Sequence, residues 1–201
     1  MKKNTKKIVT AAGIAAGTAA VASLSAYVTI KALIDTALDR EMPKVMEKAD
    51  KRISGEKSSD EFTNRMESAS ESLAVQPNET VEIIAHDGEK LVGHYFPCEK
   101  PERVIIAFHG WRSSWHRDFG MISDFWYKNN CSALYVEQRG QNNSSGEYMG
   151  FGLTERFDCL DWLNWEIERC GSDIPVYLAG VSMGATTVLM AAGLQLPPNV
   201  H

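Results

Sequence analysis

One pentapeptide, Gly180-Val181-Ser182-Met183-Gly184, constrains this chain more than any other feature, because of what flanks it. Ile174-Pro175-Val176-Tyr177-Leu178-Ala179 reads as a buried parallel strand. Ala185-Thr186-Thr187-Val188-Leu189-Met190-Ala191-Ala192 reads as a helix ended by Gly193. Strand, sharp turn and helix must therefore meet within five residues. Gly180 and Gly184 are needed because a side chain at either position would crowd the neighbouring strand or helix. Ser182 is then held proud of the sheet edge, beside the unpaired N–H groups of a helix N-terminus, where an oxyanion can be received.

A second strand supports the first. Arg103-Val104-Ile105-Ile106-Ala107-Phe108 is apolar and runs directly into His109-Gly110-Trp111. Further along, Tyr135-Val136-Glu137-Gln138-Arg139-Gly140 is followed by Ser144-Ser145-Gly146. With these three segments the sequence resembles the α/β-hydrolase superfamily over roughly residues 78–201, the front portion of such a domain. It looks most similar to bacterial membrane-anchored hydrolases of the serine aminopeptidase and esterase kind. In the third segment Glu137 stands where the family usually has Asp, and Asn142-Asn143 interrupts the usual glycine spacing.

The resemblance implies an α/β-hydrolase fold with a mostly parallel sheet and a serine hydrolase that cleaves an ester or amide through an acyl-enzyme. Ser182 would be the nucleophile, and the backbone N–H groups of Met183 and Trp111 would form the oxyanion hole. His109, Gly110, Gly180 and Gly184 would be supporting loop residues, His109 having its ring fixed by backbone hydrogen bonds behind the hole. Family order is serine, then acid, then histidine. From Met183 to His201 there is no Asp or Glu, and the one His is terminal. The triad Asp and His are therefore expected beyond residue 201, the domain reads as C-terminally incomplete, and the chain alone is expected to be inactive. The rival from another class is a non-catalytic, membrane-anchored interaction protein with the same fold. The substrate is expected to be a small-molecule ester or a peptide.

The remaining histidines read as structural. His86 sits beside the turn signal Asp87-Gly88, His94 alternates within a strand, and His116 reads as an exposed helix cap. His201 precedes any possible acid and is rejected as a base. Glu155, Asp158 and Asp161 lie on a predicted helix, 153–168, and read as its solvated face. Cys98, Cys131, Cys159 and Cys170 lack metal-ligand spacing and read mostly as buried free thiols, with one disulfide permitted. No metal or cofactor is assigned.

At the N-terminus Lys2, Lys3, Lys6 and Lys7 precede an uncharged stretch, Ile8 to Ile30. As a helix it reaches about 34 Å, against about 30 Å for a bilayer core. Residues 1–31 therefore read as a basic flank and transmembrane signal anchor, residues 8–30 in the membrane, the N-terminus cytoplasmic and the hydrolase portion outside. Secretion after signal-peptide cleavage is the alternative, with Ala20-Val21-Ala22 as an acceptable cleavage site. Residues 32–77 read as a polar helical spacer. The formal net charge of −5 gives no reason to expect a nucleic-acid partner.

Overall fold

The computed structural model describes residues 23–41 and 60–201. Most of the expected anchor and the middle of the expected spacer lie outside them. The chain divides into two units, Met1–Asp39 and Arg40–His201. In the first, α1 (residues 23–38) is helical and largely exposed, with a Lys31–Asp35 ion pair one turn apart at 2.6 Å. Among the described residues no helix is long and apolar enough to cross a membrane.

The second unit is built on five strands: β1 (Glu79–Ile84), β2 (Lys90–Phe96), β3 (Arg103–Phe108), β4 (Cys131–Glu137) and β5 (Val176–Gly180). Their spatial order is β1-β2-β4-β3-β5. β1 and β2 form a hairpin through His86-Asp87-Gly88-Glu89, where Gly88 takes φ +93°, a conformation open to a residue without a β-carbon. β2 runs antiparallel to β4, while β3 is parallel to both β4 and β5. The sheet is thus mixed rather than mostly parallel. The tight Asp87-Gly88 turn allows only an antiparallel return, whereas the later strands are separated by helices long enough for parallel crossovers.

Among the described residues four helices cover the sheet: α2 (Glu61–Ala74), α3 (Trp115–Lys128), α4 (Glu155–Cys170) and α5 (Met183–Ala191). Residues on β3 and β4 are buried on both faces, which is why β3 reads as an apolar run. On one face Val104, Ile106, Phe108, Leu134 and Val136 pack with Cys159, Trp162 and Leu163 of α4 and Ala191 of α5. On the other, Ile105, Ala107, Ala133 and Tyr135 pack with Leu73 of α2 and with Trp115 and Phe119 of α3. Each fully buried aliphatic or aromatic side chain contributes about 1.5–3 kcal/mol. The segment just before β1, expected as spacer, therefore supplies a helix to this core. It does so at Gly120, where any β-carbon would strike the backbone of Ala69 and Ser70.

β5 closes one side of the sheet. Residues 199–201 lie along its outer edge: Val176 N–H donates to Asn199 O at 2.8 Å, and His201 N–H donates to Val176 O at 2.8 Å. A parallel bridge joins Val176 to Val200.

Candidate active site

The turn between β5 and α5 has the form its glycines require. A β-carbon on Gly184 would penetrate the Phe108 carbonyl, and one on Gly180 would penetrate the backbone of Gly184. The N-terminus of α5 can therefore sit against the end of β3 only because both positions lack side chains. Between them Ser182 adopts φ +50°, ψ −112°, a region that costs a non-glycine residue about 1–3 kcal/mol. Ser182 is exposed, whereas Met183 and Gly184 beside it are buried. Met183 is the first residue of α5, so its N–H has no acceptor within the helix.

The His109-Gly110-Trp111 loop lies against this turn. Val181 N–H donates to Phe108 O at 3.0 Å. A β-carbon on Gly110 would lie 3.4 Å from the Ser182 β-carbon. Trp111 follows in the loop, half-buried, with the Arg112 guanidinium over its ring at 5.1 Å.

His109 is fully buried, and its hydrogen bonds fix its tautomer. Gln138 N–H and the Asn142 amide both reach Nε2 at 3.2 Å. Because a backbone N–H can only donate, Nε2 is the acceptor, and Nδ1 carries the proton and donates to Gly110 O at 2.8 Å. Burial holds the ring below its ordinary pKa, so it stays neutral. The His109 ring thus ties the loop after β3 to the exit of β4.

Three residues that the sequence reading did not single out hold the loop in place. Asp118 of α3 accepts from Gly110 N–H and from the Ser113 hydroxyl, both at 2.7 Å. Gln138, at the exit of β4, donates through its amide to His109 O and accepts from the Thr187 hydroxyl of α5 at 2.6 Å. One buried amide therefore joins the ends of β4, β3 and α5. In a single sequence, nothing marks a Gln at a strand exit or a helical Asp eight residues past Gly110 as a partner of distant groups.

The other histidines and Glu137 make their contacts with residues other than Ser182. His94 Nε2 meets Glu137 Oε1 at 2.8 Å and its ring stacks on Trp115 at 4.4 Å. Burial works against the Glu137 charge, but hydrogen bonds from His94 and Asn143 outweigh it and hold the carboxyl below its usual range. His116 is not an exposed cap: it is half-buried in the first turn of α3 and bonds Ser70 of α2 at 2.9 Å. His86 bonds Asp161 at 3.0 Å. His201 lies beside Tyr177 at 5.4 Å, near the opposite end of β5 from Ser182.

The α4 carboxylates correct a second expectation. Glu155 and Asp158 are buried rather than solvated. Glu155 accepts from Gly150 N–H at 2.5 Å and Gly152 N–H at 2.8 Å, closing the loop that leads into α4. Asp158 takes a two-pronged contact from Arg139, whose guanidinium also donates to Asp87 at 2.7 Å. The looser third sequence segment is thus an anchor point, because Arg139 ties the exit of β4 to α4 and to the β1–β2 turn. Among the described residues one group, His86, Asp158 and Asp161, brings possible metal-ligand atoms within 4.8 Å of one another. Arg139 already supplies the positive charge there. All four cysteines are free thiols.

No protein-family model and no curated protein matches the sequence. Solved structures do. An esterase of Pyrococcus furiosus is similar at 25% identity and a TM-score of 0.54, over 65% of this chain and 49% of that one. An α/β serine hydrolase without a lid from Xanthomonas campestris matches at 18% identity and a TM-score of 0.51, over 59% and 56%. A serine hydrolase homologue from Coxiella burnetii matches at 20% and 0.51, over 60% of each chain. The chain spans about half the length of the esterase it matches.

Proposed function

Since this chain shares the fold of the α/β-hydrolase superfamily over the matched part of its length, we propose that the protein is a serine hydrolase that cleaves an ester or amide through an acyl-enzyme. The observation that carries the reading is the strained, exposed Ser182 at the β5–α5 junction, with Gly110 packed against it. Ser182 Oγ attacks the substrate carbonyl carbon, and the oxyanion that forms is held by the N–H groups of Met183 and Trp111. The serine proton passes to a histidine and on to the leaving alcohol or amine. Water then cleaves the acyl-enzyme by the same route. The histidine and its acid lie beyond residue 201 in this reading, because each of the five histidines is engaged away from Ser182.

That same engagement favours a second reading, a membrane-anchored protein that keeps the fold without the chemistry. A fluorophosphonate probe applied to the full natural protein separates the two. Labelling that Ser182→Ala abolishes supports the hydrolase; absence of labelling in the folded protein supports the interaction protein. In either reading residues 8–30 are proposed to anchor the chain in the cell membrane with the sheet outside, on the strength of the four flanking lysines and the uncharged run that follows.

A further inference from the structure

We propose that Cys98 and Cys131 are a redox-sensitive pair that closes into a cross-strand disulfide, stapling β2 to β4 at the end of the sheet opposite Ser182. The register carries the argument. His94 pairs with Tyr135 and Phe96 with Ala133 across the antiparallel β2–β4 ladder. Two residues beyond that last pair, in the same register, come Cys98, just past the end of β2, and Cys131, the first residue of β4. The chain stays beside β4 past the end of β2, because Cys98 N–H donates to the Ser132 hydroxyl at 3.0 Å.

Carried two residues past the end of β2, the alternation of that strand places both side chains on one face. His94 stacks on Trp115, and Phe96 meets Tyr135 edge-on at 5.3 Å, so even-numbered β2 residues face α3. Cys131 packs in the same cluster as Ala133 and Tyr135. Directly opposed residues of an antiparallel pair have α-carbons about 4.5–5.5 Å apart, within the range of about 4.4–6.8 Å that disulfides span. The alternatives are remote. Cys159 packs on the other face of the sheet, and Cys170 lies three turns along the same helix, about 16 Å away.

Exposure orders the chemistry. Cys98 is half-buried, whereas Cys131 is buried and its thiol donates to Asn129 O at 3.5 Å. Burial pushes the Cys131 thiol up, so Cys98 reacts first. Its thiolate attacks one sulfur of a small-molecule disulfide such as oxidised glutathione, breaking that S–S bond and releasing one thiolate. Cys131, deprotonated in turn, displaces the second thiolate from the mixed disulfide. The two protein thiols are oxidised, the small disulfide is reduced to two thiols, and the two protons end on the released sulfurs.

The test is to treat the full-length folded protein with oxidised glutathione and map its cysteines by mass spectrometry without reduction. The expected result is a mass loss of about 2 Da, for the two hydrogens removed, with the Cys98 peptide joined to the Cys131 peptide and with Cys159 and Cys170 still alkylatable. Cys131→Ser should instead trap a glutathione adduct on Cys98. A stable adduct on Cys98 in the unmutated protein, a link through Cys159 or Cys170, or an unchanged mass would each overturn the proposal. The pair stands apart from Ser182, so the result does not depend on the hydrolase reading.

Discussion

Gly110 is packed against Ser182 so closely that a β-carbon on it would lie 3.4 Å from the Ser182 β-carbon and 3.3 Å from the Asp118 carboxylate. The loop after β3 and the turn after β5 therefore share one contact surface, and a side chain larger than a methyl at Gly110 crowds both. Gly110→Leu is expected to abolish fluorophosphonate labelling of the full natural protein while circular dichroism stays unchanged. Undiminished labelling would show that the loop does not line the serine.

Ser182 holds its left-handed φ at the expense of stability. Ser182→Gly removes the β-carbon that makes this conformation costly, and the relief exceeds the added chain entropy of glycine. The variant should be more stable by about 1 kcal/mol, read as a higher urea midpoint with an unchanged slope. A destabilised variant would mean that the hydroxyl, not the backbone, dominates the local energy.

Asp118 offers one carboxylate oxygen to Gly110 N–H and the other to the Ser113 hydroxyl. Asp118→Ala leaves both donors without this partner and should cost about 1.5–3 kcal/mol. The loop should loosen more than the sheet. Hydrogen exchange is expected to quicken at Gly110 while the amides of β3 and β4 stay protected, and uniform acceleration would contradict a local role.

Gln138→Leu has a buried consequence. It removes the donor to His109 O, at about 1–3 kcal/mol for the carbonyl left unsatisfied, and the shorter of the Thr187 hydroxyl's two hydrogen bonds, leaving only the 3.3 Å one to Met183 O. The double variant with Thr187→Val should recover part of that loss, since the weakly bonded hydroxyl goes with it. Additive losses in chemical denaturation would argue that the two side chains are not coupled.

Acid should weaken the fold in two stages. Burial keeps His109 below its ordinary value of 6.5, so the unfolded chain takes up a proton there that the folded chain refuses. Its contribution is intact above pH 6.5 and falls away as the pH drops below that value. Glu137 is held below its ordinary 4.5 by His94 and Asn143, against the opposing effect of burial, so its contribution is present above that value and lost as the pH falls further, through its folded-state value. Urea midpoints followed from neutral to acid pH should decline first near the histidine range and again below the carboxylate range. His109→Asn should shrink the first decline, to which His116, also held below its ordinary value by burial, contributes, and leave the second; a first decline undiminished in that variant would refute the assignment to His109.

Much of this architecture was legible in the residues. The apolar run of β3 announced a strand, and Asp87-Gly88 announced a hairpin. Gly180, Ser182 and Gly184 announced a turn too tight for any other residues, because strand burial and steric exclusion are local properties of a sequence. What the residues left open was whatever depends on which distant elements meet. The mixed character of the sheet follows from β2 choosing β4 as its second neighbour. The burial of Glu155 and Asp158, read as a solvated face, follows from the loop amides and the Arg139 guanidinium brought to them. Asp118, Gln138 and Thr187 gained their roles only when α3, β4 and α5 converged on the loop after β3. A hydrogen bond between residues far apart in the chain leaves no periodic trace in the sequence. Tertiary structure alone decides which buried polar group answers which.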